Sequence, residues 1–231
     1  MPANRFVVEL IARSPLSSRV DRLRFHSRGA FDWMAGQHLV VVRGQGQALF
    51  LPYSIASAND PKKPGQFELA VSVQAGAAVI DTLPIGAELE VEGPAGGFVW
   101  QAAPSPAALL VGIGTGIAPL RALIEEELAR ASETRLLLLA GHRAPDDVLF
   151  AEDFARLAME HSRFHFIPTL TGADSSWLGQ RGRVQARLLE AVNALAPLDA
   201  YVCGRLEMVS DVVRTLLAHG VQQSRIRSEG Y

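Results

Sequence analysis

Apolar residues gather in short runs through the first hundred residues: Arg5–Ala12, Arg19–His26, His38–Val42, Leu49–Ile55, Phe67–Val73 and Glu88–Glu92, each rich in Val, Phe, Ile and Leu. Runs of this length and composition predict strands. Turn-forming clusters separate them, among them Ser27-Arg28-Gly29, Gly44-Gln45-Gly46 and Pro61-Lys62-Lys63-Pro64-Gly65. About six strands at this spacing predict a small antiparallel barrel. Within this half only Ala78–Leu83, ahead of Pro84-Ile85-Gly86, has a helical pattern, and it is short.

From Ser105 the pattern changes. The apolar run Ala107–Val111 passes straight into Gly112, Gly114 and Gly116, and then into a stretch that places Leu120, Leu123, Ile124 and Leu128 on one helical face. Further on, Leu136–Gly141, Phe164–Thr169 and Ala200–Gly204 read as buried strands, and Ala151–Glu160, Val184–Leu195 and Met208–His219 as helices. Strand alternating with helix predicts crossover units and a parallel sheet whose ligands sit at the carboxyl ends of the strands. The expected fold class is therefore two-domain, with an antiparallel β-barrel over residues 1–102 and an α/β parallel-sheet nucleotide-binding domain over residues 103–231. The joint falls near Gln101–Pro106, where two prolines interrupt a polar link.

The strand-to-helix turn has the spacing G-x-G-x-G-x-x-P, from Gly112 to Pro119. Glycines there permit positive φ and let a phosphate approach with no Cβ in the way, while the helix that follows aims unpaired N–H groups and a positive dipole end at the same anion. Pro119 suits a first helical turn, where a missing N–H costs nothing. The spacing departs from the common G-x-G-x-x-G fingerprint, since Ile117 stands where its third glycine would fall. By itself the turn fits either a nucleotide phosphate or a tight packing turn.

Composition narrows the classes. At 231 residues, 48% hydrophobic and 20% charged, the chain has the make-up of an ordinary globular protein. Its net charge of −2 and lack of a Lys/Arg run exclude nucleic acid as a leading partner. MPANRFVVELIARS has no long apolar core and carries Glu9, so neither a signal peptide nor a membrane span is expected, and the expected location is cytoplasmic. The single cysteine, Cys203, rules out both an internal disulfide and a four-thiolate iron–sulfur cluster held by this chain. No metal site is expected, because His26, His38, His142, His161, His165 and His219 show no metal-binding pair beside a glutamate, and His161 and His165 straddle a helix-to-strand junction. Glu125-Glu126-Glu127 is expected to form a solvated helix face, and Asp146-Asp147 to cap a helix start. There is no Gly-x-Ser-x-Gly elbow for acyl transfer.

A set of short motifs in order then carries a family resemblance. These are Pro52-Tyr53-Ser54-Ile55-Ala56-Ser57, Gly93-Pro94-Ala95-Gly96-Gly97-Phe98, the Gly112–Pro119 turn, Gly141-His142-Arg143 with Asp146 and Asp147, Trp177 with Gly182-Arg183-Val184, Cys203-Gly204, and Glu229-Gly230-Tyr231. Over nearly its whole length the chain resembles the ferredoxin–NAD(P) reductase superfamily, in its flavin-reductase and oxygenase-reductase branch without an iron–sulfur domain. The resemblance implies a flavin-binding barrel, hydride transfer from nicotinamide to flavin, and onward electron transfer to a separate ferredoxin or oxygenase acceptor. It implies that Pro52, Tyr53, Ser54 and Ile55 bind flavin, FAD or FMN, with Tyr53 stacked on the ring and the Ser54 hydroxyl near its reactive nitrogen. Gly112, Gly114, Thr115, Gly116, Pro119, His142 and Arg143 are the implied nicotinamide-nucleotide residues. Cys203 and Gly204 are placed beneath the nicotinamide, and Tyr231 over the flavin face, from which it must yield to nicotinamide. Ser54, Cys203 and Tyr231 are the implied catalytic residues. The residues themselves also fit blander roles: barrel core for Tyr53, a small buried hydrophobe for Cys203, a frayed end for Tyr231.

Two positions depart from the family pattern. Leu51 stands where an arginine pairs with flavin phosphate, and Gly76-Ala77-Ala78-Val79 lacks the hydroxyl of the second flavin-phosphate motif. Backbone N–H groups at Gly76, Ala77, Ala78 and Val79 could still meet a phosphate, and Arg43 could supply charge from a neighbouring strand. Three outcomes stay open: flavin as a diffusing substrate, flavin held differently, or a non-enzymatic member that binds nucleotide or a partner. Leu170-Thr171-Gly172-Ala173 replaces the Ser–Arg pair of members that select a 2′-phosphate, so NADH is favoured over NADPH, with Arg143, Arg181 and Arg183 as the nearby arginines.

Overall fold

The computed structural model describes residues 4–29, 31–44, 46–73 and 79–231. Gly76, Ala77 and Ala78 lie outside them, as does the side chain of Val79. Six strands build the first sheet: β1 (Arg5–Ser17), β2 (Val20–Ser27), β3 (His38–Gly44), β4 (Gln47–Ser54), β5 (Gln66–Ser72) and β6 (Glu88–Ala95). The sheet is antiparallel, in the order β4-β3-β6-β1-β2-β5, and a bridge between Ile55 and Leu69 brings its two end strands together as a barrel. Alternation does the sorting. Val8 and Leu10, Leu23 and Phe25, Leu39 and Val41, Phe67, Leu69 and Val71, and Leu89 and Val91 all point inward to one apolar core. β1 runs on to Ser17, past the expected end at Ala12, and the expected helix over Ala78–Leu83 is a 3₁₀ turn at Val79–Thr82. Four residues ahead of Pro84 give a helix no room for a second turn.

The second sheet is parallel, ordered β10-β9-β8-β7-β11-β12. Its strands are β7 (Ala107–Ile113), β8 (Arg135–His142), β9 (Phe164–Leu170), β10 (Gln180–Arg181), β11 (Asp199–Gly204) and β12 (Ile226–Gly230). Its helices are α1 (Ile117–Leu128), α2 (Ala151–Glu160), α3 (Leu188–Leu195) and α4 (Leu206–Ala218). β7 shows why a continuous apolar run is needed, since both faces of this sheet are covered. Ala108 and Leu110 pack into one core with α1, while Ala107, Leu109 and Val111 pack into the other with α3 and α4. The helix expected over Val184–Leu195 divides into a 3₁₀ turn, Val184–Arg187, and α3. β10 and β12 have no counterpart in the sequence reading. β10 is two residues long, and β12, Ile-Arg-Ser-Glu-Gly, buries only Ile226 and gains its order by pairing with β11.

Two expectations about acidic residues are corrected. Asp147 caps the 3₁₀ turn Pro145–Asp147, accepting the Ala144 N–H at 3.2 Å, whereas α2 begins at Ala151, after Phe150, which is buried with φ +56°. Glu125, Glu126 and Glu127 are not a solvated face. Glu125 accepts the Ala58 N–H (3.1 Å), Glu126 the Ala35 N–H (3.0 Å), and Glu127 is 3% exposed beside Arg130 and Arg163. α1 lies between sheet and barrel, so the side that would meet water in an isolated domain meets backbone donors of the barrel.

Candidate functional site

The chain order of the parallel sheet runs outward from β7 through β8, β9 and β10, and β11 with β12 lies on its other side. Helical crossovers therefore leave β7 and β11 in opposite directions, and the crevice at their carboxyl ends is where open α/β sheets take ligands. β11 ends there in Gly204, and Gly112 and Gly114 flank Ile113, the last residue of β7. Gly112 pairs in register with Cys203, Ile113 with Gly141, and Gly204 with Gly230. Gly114 takes φ +53° in a 3₁₀ turn over Gly114–Gly116, and α1 follows at once. A Cβ on Gly116 would stand 2.5 Å from the Cys203 carbonyl oxygen, so only glycine lets the turn close against β11.

A cleft of about 770 Å³ opens over this edge. The parallel-sheet half contributes Gly114, Thr115, His142, Arg143, Arg183, Arg205 and Tyr231, and the barrel contributes Ser17, Arg19, Val20 and Ser72. Of the sequence candidates, Gly114, Thr115, His142, Arg143 and Tyr231 line it directly. Gly112, Gly116, Pro119, Cys203 and Gly204 belong to the wall behind, where Cys203 is 2% exposed. Burial pushes the Cys203 thiol up to about 12, with Glu229 adding to the shift, so it is a neutral SH group. Burial likewise pushes His142 down to about 4 against the opposing pull of Asp147, and its Nε2 is buried with no hydrogen-bond partner.

The hydroxyl of Tyr231 rests on the glycine turn. It accepts the Gly116 N–H at 2.9 Å, meets Thr115 Oγ1 at 3.1 Å, and donates to the Ile113 carbonyl at 3.3 Å. Its backbone is fixed as well, since Tyr231 N–H donates to Gly204 O and Leu206 N–H to Tyr231 O. Tyr231 is thus docked and not frayed, and it sits on the amide that a phosphate oxygen would use. Burial raises its phenol above the ordinary tyrosine value, which keeps it neutral.

Arginines decide the electrostatics. Among the described residues Arg143, Arg183 and Arg205 have no carboxylate partner, and all three are exposed at the cleft. Arg19 pairs with Asp147 at 3.0 Å across the two halves. Arg181 differs, since its guanidinium donates to the carbonyls of Ala173, Asp174 and Trp177 at 2.6 to 2.8 Å and is committed to its own loop. Arg19 and Arg205 were missed from sequence. Arg205 carried a signal, a basic residue directly after a strand-ending glycine, whereas Arg19 reaches the cleft only because the barrel docks there.

Pro52, Tyr53, Ser54 and Ile55 are not part of this cleft. They lie on and just after β4, at the end of the barrel sheet, where the outer edge has no ladder partner apart from the Ile55 bridge. Tyr53 is half-buried against the barrel core, and Ser54 is half-buried beside it. Ile55 faces inward at 0% exposure, and its N–H is spent on Gln37 O, so it offers a flavin no side-chain contact. Leu51 pairs with Val41, and the exposed Arg43 lies beyond a bulge in β3, opposite Ala48. An end strand bearing a half-buried aromatic ring and a hydroxyl fits a flat heteroaromatic ring; the phosphate end of such a ligand has no guanidinium from Leu51's position.

Comparison with known proteins agrees with this division. Residues 7–100 match the Oxidoreductase FAD-binding domain family and residues 110–214 the Oxidoreductase NAD-binding domain family. The chain is 33% identical over 99% of its length, and 98% of the relative's, to Ferredoxin--NADP reductase B of Sorangium cellulosum. It belongs to the ferredoxin reductase superfamily. A CDP-6-deoxy-L-threo-D-glycero-4-hexulose-3-dehydrase reductase of Yersinia pestis is 28% identical over 90% of the chain, which spans 63% of that longer relative. Among solved structures, Amycolatopsis cytochrome P450 reductase GcoB superposes with a TM-score of 0.85 at 26% identity, covering 99% of this chain and 70% of the other. The chain is thus an NAD(P)H-dependent oxidoreductase of the flavin/ferredoxin reductase type, with a flavin-type barrel and a nicotinamide-type α/β half. No helix among the described residues is long and apolar enough to cross a membrane.

Proposed function

We propose that the protein takes a hydride from NAD(P)H onto a flavin at the β4 edge and passes the electrons to a separate ferredoxin or oxygenase-type protein in the cytoplasm. The observation that carries this reading is the glycine turn, in a cleft also lined by Arg143, Arg183 and Arg205, none of which is ion-paired with a carboxylate among the described residues. A guanidinium left unpaired beside a cleft is a ready partner for phosphate, whose oxygens its fork matches. A bound flavin supplies a two-electron acceptor that can release electrons singly. The chain's own residues supply the rest. The Gly114–Gly116 amides and Thr115 take the pyrophosphate once the Tyr231 hydroxyl leaves Gly116, Cys203 offers a small neutral surface under the nicotinamide, and Tyr53 and Ser54 hold the flavin ring and its polar edge. No proton-transfer group is needed for hydride movement, and the neutral states of His142, Cys203 and Tyr231 suit that.

The loop over Leu170–Ala173 favours NADH. Arg143 and Arg183 flank the same edge with free guanidiniums, and Gly172 N–H donates to Arg143 O at 2.8 Å, which ties the two loops together. We infer from these arginines that NADPH is accepted as well. Leu51 and the displaced Arg43 favour a second reading, in which flavin binds loosely and acts as a diffusing substrate.

The test is a visible spectrum of the purified protein, before and after addition of FAD and FMN, followed by anaerobic NADH and then NADPH. Flavin bands that travel with the protein and bleach with either nucleotide support the first reading. Bleaching that saturates with added flavin over a colourless protein supports the second. A protein that binds neither flavin and bleaches nothing overturns both.

A further inference from the structure

Arg121 stands two residues past the Gly112–Pro119 motif, and the nucleotide site does not use it. It sits on α1, five residues past Gly116, or about 7 Å along the axis at the helical rise. Its guanidinium is buried, with a side-chain exposure of 7%. Nη1 donates to the Ala56 carbonyl and to Glu68 Oε2, both at 2.8 Å. Nη2 meets Glu125 Oε1 at 2.8 Å, and Nε lies 3.3 Å from Asp153 Oδ2. These partners come from the loop after β4, from β5, from α1 itself and from α2. Ala56 is two residues past Ser54, roughly 7 Å of extended chain. A single planar group therefore spans from the helix that begins at the nucleotide turn to the strand end that carries the flavin residues.

The surroundings make that group rigid. Glu68 also receives Arg24 at 2.8 Å, and Arg22 bonds Asp153, so Arg22, Arg24 and Arg121 face Glu68, Glu125 and Asp153 in a balanced set. Burial alone would raise Glu68, but the attraction of Arg121, Arg24 and Arg22 outweighs it and leaves the carboxyl below its ordinary value. Phe150, at φ +56°, lies under both guanidiniums, 4.6 Å from Arg121 Cζ and 5.0 Å from Arg22 Cζ. The same helix is fixed to the barrel by Ala58 N–H to Glu125, Ala35 N–H to Glu126, and Trp100 Nε1–H to the Leu123 carbonyl at 3.0 Å. Buried ion pairs are poor sources of stability, because the cost of desolvation offsets their attraction, but a planar guanidinium hydrogen-bonded to Ala56 and Glu68 and ion-paired with Glu125 and Asp153 fixes geometry well.

We propose that Arg121, braced by Glu68, is a positioning residue that sets the distance between the nicotinamide and flavin sites, and so governs the rate of hydride transfer and not the affinity for nucleotide. The inference rests on the hydride-transfer reading above. Reacting atoms must approach to roughly 3–3.5 Å, and a displacement of about 1 Å costs on the order of a hundredfold in rate. Arg121→Met keeps the length and apolar stem but loses every directional contact. Arg121→Lys keeps the charge and loses the fork, and Glu68→Gln keeps the shape and removes one anchor.

Each variant, and the wild type, is to be examined for NADP⁺ affinity by calorimetry, for flavin reduction in a single anaerobic turnover at saturating NADPH, and for thermal unfolding by scanning calorimetry. The wild type is expected to unfold in one transition and to bleach its flavin. Arg121→Met is expected to reduce flavin about ten- to a hundredfold more slowly, with NADP⁺ affinity within about twofold, and to broaden or split the unfolding transition as the halves uncouple. Arg121→Lys and Glu68→Gln should fall between, and they carry the test if Arg121→Met does not fold. Reduction at the wild-type rate with an unchanged transition overturns the proposal, as does a loss that falls equally on nucleotide affinity. A wild type that binds NADP⁺ but never bleaches flavin overturns the hydride-transfer reading instead, and a split transition in Arg121→Met would then still show the coupling of the halves.

Discussion

Replacing Gly116 with alanine should loosen the nucleotide turn and lower stability together, because one methyl group meets backbone on another strand. An added Cβ would lie 2.5 Å from Cys203 O, 2.6 Å from Cys203 C and 2.7 Å from Gly204 N. Ordinary carbon contacts settle near 3.5 Å, so the turn and β11 must separate by about 1 Å. Overpacking of this kind costs about 1–3 kcal/mol. For a chain of this size that corresponds to a fall of about 2–12 °C in melting temperature. The same displacement takes the Gly116 amide out of line with a phosphate oxygen, and a lost charge-assisted hydrogen bond of about 1.5–3 kcal/mol weakens binding about ten- to a hundredfold. Calorimetric titration with NADP⁺ and a thermal melt, run beside Gly29→Ala, where nothing lies within 4 Å of the new Cβ, measure both effects. A Gly116→Ala protein with wild-type affinity and melting temperature would refute the reasoning.

Other outcomes follow from the same geometry. Arg143→Ala and Arg183→Ala should each raise KM for NADPH about tenfold while leaving NADH nearly unchanged, and equal effects on the two nucleotides would remove both residues from the 2′-phosphate. Because burial holds His142 near 4 in the folded state against 6.5 when unfolded, the unfolded chain binds the extra proton first. Folding stability should therefore fall by about 3 kcal/mol as pH drops from 6.5 to 4, with His142→Gln flattening that slope in denaturant titrations. The Cys203 thiol, buried and pushed up to about 12, should resist a thiol-reactive dye at pH 8 in the native protein and react fully in denaturant. Tyr53→Ala should weaken flavin affinity about two- to tenfold, the value of an aromatic stack, as read by fluorescence titration with FAD.

Where the chemistry resides was only partly legible. Gly112 to Pro119 could be read as a candidate site because a short apolar run into closely spaced glycines is a local signal, Cys203 and Gly204 only through the family resemblance, and the structure brings them to one edge. The resemblance alone assigns Tyr231 to the flavin face, and no local pattern places it on the glycine turn. Its seat on Gly116 depends on β12, a strand that exists only because β11 offers it an edge. Nor could the sequence tell which of the nearby arginines is available, since three carbonyls of its own loop claim Arg181.

By itself the sequence determined most of the elements, though not β10 or β12, together with the change from antiparallel barrel to parallel sheet and the glycine turn, because hydrophobic pattern and backbone freedom are set within a few residues. Tertiary structure decided which charges are free and which are spent. Arg121 meets Glu68 across 53 positions of chain, and Glu126 meets the Ala35 amide across 91. No local pattern encodes such pairs. A row of three glutamates on a helix has the same spacing whether it faces water or the backbone donors of a docked barrel, and only the packing of the two halves tells one from the other.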